Sequence, residues 1–272
     1  MARRSKRSKG TSDGVTGLLL GLLGLVLLAG LGGGYWFVKN SRPKLDANNC
    51  PATGPKAIHV IMFDRSDPIS EQQAQRIRQT INRYRNDAPF GQRFDLYTFQ
   101  GDTLHVLQPR LQLCALGKPS EANFLIENPE SVRKAYEIKF TKVLDQTVSE
   151  LLRGSQEKTS PIIESLRAAS INSFGPVSAG EMPLRVTLIS DMVQNTALAN
   201  QFATEPNFSQ LSKAPAWVTL QPQLKGASVE VLYLMRLTAI RKGTPIQNRG
   251  HQLFWEQLIA ASGGRLDTFD PL

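Results

Sequence analysis

Apolar and polar positions alternate along this chain in three distinct rhythms, and each rhythm predicts a different kind of element. The first is unbroken: "VTGLLLGLLGLVLLAGLGGGYWFV", residues 15–38, carries no charged side chain. Roughly 20 apolar residues span a bilayer as a helix, so this run predicts a transmembrane helix with some tilt. The second rhythm is short and dense. "AIHVIMF" (57–63), "RFDLYTF" (93–99), "LRVTLIS" (184–190) and "ASVEVLYLM" (227–235) are apolar, rich in β-branched residues and bounded by turn formers, which predicts buried strands. "LHVLQ" (104–108), after the Gly101-Asp102 turn, predicts a further edge strand.

The third rhythm is helical. Ala74, Ile77, Ile81 and Tyr84 recur at 3-4-3 intervals, predicting an amphipathic helix over 70–86 with Ser70 as its cap. Its outer face carries Arg76, Arg78, Arg83 and Arg85, either a basic docking patch or a solvated face. Val132, Tyr136, Phe140, Val143, Leu144 and Leu151 mark the stripe of a long helix over 129–152. A shorter helix follows from Pro161, and a last one over 251–262 stops at Gly263-Gly264. Residues 109–128 read as a loop holding Cys114, and 201–224 as a Pro-rich insertion.

Strands alternating with helices imply an α/β fold: a mostly parallel central sheet with helices on both faces, Rossmann-like, preceded by one transmembrane helix. The chain thus divides into a basic tail (1–14), an anchor (15–38), a polar linker (39–56) and a folded domain (57–272).

Charge sets the orientation. Lys plus Arg exceed Asp plus Glu by nine, but Arg3, Arg4, Lys6, Arg7 and Lys9 crowd the first ten residues. Without them the surplus is mild, so nucleic acid is not an expected partner. A basic tail ahead of the span implies an uncleaved signal anchor with a cytoplasmic N-terminus and the domain outside, in the periplasm or its equivalent. Tyr35 and Trp36 stand where an interfacial belt belongs. A cleaved signal peptide is the alternative, but its apolar region would be only ~7–15 residues long. Gly14, Gly17, Gly21 and Gly24 fall on one helix face, where a partner helix could approach closely, although glycine is common in membrane helices anyway. Outside the membrane an oxidised Cys50–Cys114 pair is expected, two free thiols being the alternative.

Right-handed crossovers between parallel strands place every strand's C-terminal end on one edge of the sheet, where open α/β sheets carry their ligand crevices. Asp64 and Asp191 each follow a central strand directly, and both belong on that edge. "DRSDP", "KTSPIIESL" and "LISDMV" here resemble the three parts of the metal-ion-dependent adhesion site of von Willebrand factor type A domains. They look most like divergent, single-span bacterial versions. The family uses Asp-x-Ser-x-Ser, a Thr and a second Asp, usually followed by Gly. Asp64, Ser66, Ser160 and Asp191 match it, with Thr159, Asp67 and Ser70 as lesser candidates; Pro68 and Met192 depart from it.

The resemblance implies a bound Mg²⁺ or other divalent cation, a hard ion that takes about six oxygen ligands. It implies a protein partner whose acidic side chain completes the coordination. The simpler alternative is that both aspartates cap helices or bond loop amides. Enzyme signatures are sparse: His59, His105 and His251 are scattered, and no nucleophile elbow or phosphate loop occurs. Binding rather than catalysis is therefore the expected activity. A metal-dependent phosphoesterase and a purely structural membrane subunit are the other two classes.

Overall fold

The structure, a computed structural model, describes residues 12–41, 43–99, 107–122, 127–153, 159–197 and 199–272. It consists of two units, divided between Lys44 and Leu45.

The first contains α1 (Ser12–Ser41), whose stretch Val15–Phe37 is long and apolar enough to cross a membrane. Its leucines are exposed along the helix, and a helix apolar all round needs an apolar surrounding. A side chain built at Gly17, Gly21 or Gly24 would meet nothing within 4 Å.

In the second unit, a six-stranded sheet is built from β1 (Ala57–Phe63), β2 (Gln92–Thr98), β3 (Leu111–Cys114), β4 (Leu184–Ser190), β5 (Ser228–Tyr233) and, after a two-residue hairpin of β6 (Ile240–Arg241) and β7 (Thr244–Pro245), β8 (Arg265–Pro271). The order is β3-β2-β1-β4-β5-β8, with only β3 antiparallel to its neighbour. The chain therefore winds outward from β1 in one direction, returns to β4, and winds outward in the other. In open α/β sheets such a reversal marks the edge where ligands bind, here the C-terminal ends of β1 and β4.

β1 is buried on both faces because each face is covered. Ile58, Val60 and Met62 pack against α5 (Ile162–Phe174), α7 (Pro215–Leu220) and α8 (Arg249–Ala261). Ile61 and Phe63 pack on the other side against α2 (Glu71–Asp87) and α4 (Lys142–Leu151). This is why the strand reads as a continuous apolar run rather than an alternation. α3 (Pro129–Tyr136) joins α4 through a π turn at Glu137–Thr141, and α6 (Phe208–Leu211) lies in the insertion before α7. A π turn leaves carbonyls without their usual helical partner, and Asn49 Nδ2 donates to that of Lys139 at 3.0 Å.

Three differences from the sequence expectation have physical causes. β3 lies within the expected loop, since a four-residue strand is too short to show a period. The expected strand at 104–108 falls largely outside the described residues, and Leu107 and Gln108 belong to no strand. β8 completes the sheet with a polar, mostly exposed edge strand that carries no buried-strand signature.

α2 opens with a reciprocal capping box: the Ser70 hydroxyl accepts from the Gln73 amide, and the Gln73 side chain accepts from the Ser70 amide. Ala74, Ile77, Ile81 and Tyr84 form its buried stripe. Its four arginines do not make a free basic patch. Arg76, Arg78, Arg83 and Arg85 approach Asp270, Glu71, Glu230 and Asp145 at 3.5, 3.1, 3.9 and 2.8 Å.

Cys50 and Cys114 are joined in a disulfide with Cα atoms 4.9 Å apart. The segment before β1 is thereby fixed to the edge strand, and the Cys114 amide also donates to the Asn48 carbonyl at 2.9 Å. Gly263 ends α8 at φ +74°, and Gly264 then passes so close to the core that a β-carbon there would sit 2.6 Å from Leu224 Cδ1 and 3.2 Å from Ile259 Cγ2. Gly264→Ala is expected to lower stability by about 1–3 kcal/mol, because overpacking displaces buried neighbours. A urea unfolding series would show it as a lower midpoint with an unchanged slope.

Candidate functional site

Parallel pairing builds the site. Phe63 lies opposite Ile189 in the β1–β4 register, and the Asp64 amide extends the ladder by donating to the Ile189 carbonyl at 2.8 Å. The next residue of each strand is then Asp64 on one side and Ser190 on the other, with Asp191 following. Both acids share the C-terminal edge and are nearly buried, Asp64 at 4% and Asp191 at 5% exposure.

Asp64 is held from all sides. Its Oδ1 accepts from the Ser66 amide (2.9 Å) and hydroxyl (2.7 Å). Its Oδ2 accepts from the hydroxyls of Ser160 (3.3 Å) and Ser190 (2.6 Å). Ser160 is delivered by a two-way backbone bridge with Asn195 in the loop after β4. Thr159, by contrast, is exposed. Asp67 is exposed on the β1–α2 loop, and Ser70 is engaged in its cap.

Asp191 is different: among the described residues its Oδ1 accepts from the Val193 amide alone, at 2.8 Å. Burial first, and then the charge of Asp64, push its carboxyl up to about 8. Among the described residues neither acid forms an ion pair within 4 Å. A buried carboxylate pair without a cation is an unfavourable arrangement that a bound positive charge would relieve.

The departure at Met192 has a structural resolution. Its φ is +58°, the left-handed region where glycine is favoured. The conformation is fixed by its amide donating to Ser190 Oγ (2.8 Å) and its carbonyl accepting from Trp255 Nε1 (2.8 Å). His251 Nε2 lies 2.9 Å from the same carbonyl, and its Nδ1 lies 2.7 Å from the Tyr233 hydroxyl. Burial holds His251 down to about 4, so the ring is neutral, with Nε2–H donating to Met192 and Nδ1 accepting from Tyr233. This loop thus keeps a glycine-like turn without glycine. His59, inside β1, is likewise kept neutral by burial, down to about 3, with its Nε2 against Thr187 Oγ1 at 2.9 Å.

The loop after β5 closes the site's other flank. Gln247 Nε2 donates to the Asp191 carbonyl (3.0 Å), and Gln247 Oε1 accepts the Arg236 amide (2.6 Å). Arg236 Nη1 donates to the Pro68 carbonyl at 2.7 Å. Ser190, Arg236 and Gln247 were not among the residues picked out from sequence. Ser190 needed the strand register to be known, and the other two lie in an irregular crossover without a motif.

The donors suit a hard cation: two carboxylates and the hydroxyls of Ser66, Ser160 and Ser190, all oxygen. Among the described residues no group of three His, Cys, Asp or Glu side chains gathers to hold a metal, so hydroxyls and water would have to complete any coordination here. Pro68 contributes no side-chain oxygen, and its carbonyl is taken by Arg236.

No protein-family model matches the chain, and no curated protein matches it. Among solved structures it is similar to an aerotolerance-related membrane protein from Bacteroides fragilis NCTC 9343, at 12% identity over 79% of this chain and 91% of that one, with a TM-score of 0.34. The likeness is loose, and the functional reading rests on the chain's own geometry.

Proposed function

We propose that this chain is a membrane-anchored, von Willebrand factor A-like binding module that holds a divalent cation, Mg²⁺ first, at the Asp64–Asp191 edge. Its work is recruitment of a protein partner outside the cytoplasm rather than turnover. Asp64, Ser66, Ser160, Ser190 and Asp191 would hold the ion, and the ion would supply an electrophilic point for a partner's carboxylate. One observation carries the reading: two buried carboxylates at the ends of adjacent parallel strands, Asp64 held by three hydroxyls, and neither acid in an ion pair within 4 Å among the described residues. The doubly wound strand order and the match to "DRSDP", Ser160 and "LISDM" support the family assignment. The apolar α1, behind its basic tail, supports the anchor and its orientation.

The test is thermal unfolding of the full chain in mild detergent, in chelator and across a Mg²⁺ titration. Saturating to about 100 times the dissociation constant stabilises by about 2.7 kcal/mol, a rise of several degrees for a domain of this size. Superimposable curves in chelator and in excess Mg²⁺ would reject the cation.

A further inference from the structure

The loop after β5 carries large apolar side chains where the reading above puts a partner. Leu237 is 98% exposed, and Met235 and Ile240 are 45% and 48% exposed. A lone exposed leucine means little, but the backbone on either side of this one is pinned. Before it, the Arg236 amide is held by Gln247, and the Arg236 guanidinium by the Pro68 carbonyl at the end of the "DRSDP" loop. After it, buried Ala239 packs with Ile246 and with Val193, two residues beyond Asp191. The same few residues thus contact both aspartate loops and hold Leu237 out into solvent. A side chain presented from a fixed backbone loses little entropy on binding.

Charge selects the other half of the ligand. With a divalent ion bound, Arg65, Arg236 and the ion outweigh the charges of Asp64, Asp67 and Asp191 on this edge. We propose that Leu237, with Met235 beside it, is the apolar half of a two-part docking site. The partner it fits is a protein segment presenting Asp or Glu next to a large apolar side chain. This rests on the cation-holding reading, and it adds which acidic segments are chosen.

The experiment pans a phage-displayed random peptide library on the full chain in detergent, with Mg²⁺ as the sole divalent ion, and repeats it on Leu237→Ser. Selected peptides are expected to share an acidic residue within two or three positions of Leu, Ile, Met or Phe. They should bind Leu237→Ser about tenfold more weakly, the effect of half-burying one leucine, while the Mg²⁺-induced thermal shift of that variant matches the wild type. Acidic peptides that bind both proteins equally would overturn the role of Leu237 and leave the cation site standing. Apolar peptides captured as well in chelator, or no shared motif at all, would overturn the two-part site. A wild type without any Mg²⁺ shift would remove the cation reading and this proposal with it.

Discussion

Asp191→Asn is expected to make the metal-free protein more stable at pH 8 and, at the same time, indifferent to Mg²⁺. In the fold the Asp191 carboxyl is raised to about 8 from an ordinary value of 3.8, by burial and by Asp64. A carboxyl raised on folding binds more protons in the native state than in the unfolded chain. Its stabilising contribution is therefore full below about pH 4 and is lost as pH climbs to about 8. At about 1.4 kcal/mol per pH unit, the loss has a ceiling of about 6 kcal/mol. Asparagine keeps the oxygen that accepts the Val193 amide but cannot ionise. The variant should recover a few kcal/mol at pH 8, show a flatter stability profile between pH 4 and 8, and lose the Mg²⁺ response. Urea unfolding across that range, with and without chelator, measures all three. A variant less stable than wild type at every pH would mean that the carboxylate is already compensated.

The second large effect is expected at the disulfide. Cys50 and Cys114 are separated by 64 residues, and opening a loop of that size costs about 4 kcal/mol in the chain-entropy model. For a domain of this size that is a drop on the order of 10 °C in melting temperature. The Cys50→Ser, Cys114→Ser double variant should show it. Because Cys50 is 6% exposed and Cys114 fully buried, dithiothreitol alone should leave the native wild type oxidised. Denaturant would be needed before thiol reagents react. Thiols titrating readily in native protein would contradict this burial.

How much could be read from sequence depended on what each element has to bury. β1 and β4 were legible because strands covered on both faces must be apolar along their whole length. α2 was legible because one face alone packs, so Ala74, Ile77, Ile81 and Tyr84 recur at helical spacing. β3 and β8 sit at the sheet's two margins, where one is too short and the other too solvated to carry a pattern. The π turn at Glu137–Thr141 is likewise invisible to a helical period. At the site, Asp64 and Asp191 stood out as acids ending apolar strands. Ser160 stands ahead of Thr159 in the sequence reading, and the bridge to Asn195 is what holds it beside Asp64; finding Ser190 needed the register of β1 on β4. Met192 shows the reverse case: a missing glycine in the motif is not a missing conformation.

The covalent link at Cys50 also has a mechanical meaning for a domain tethered by its N-terminal side. Tension arriving along the chain from Leu45 reaches Cys50 before it reaches β1, and there it divides between the peptide chain and the sulfur bridge to β3. β1, α2 and β2 lie inside the closed ring so formed. While the ring is intact, tension reaching Cys50 is therefore borne by β3 as well as by β1. If the proposed partner docks at the Asp64 edge, its pull on the domain is shared between β1 and β3 rather than carried by β1 alone.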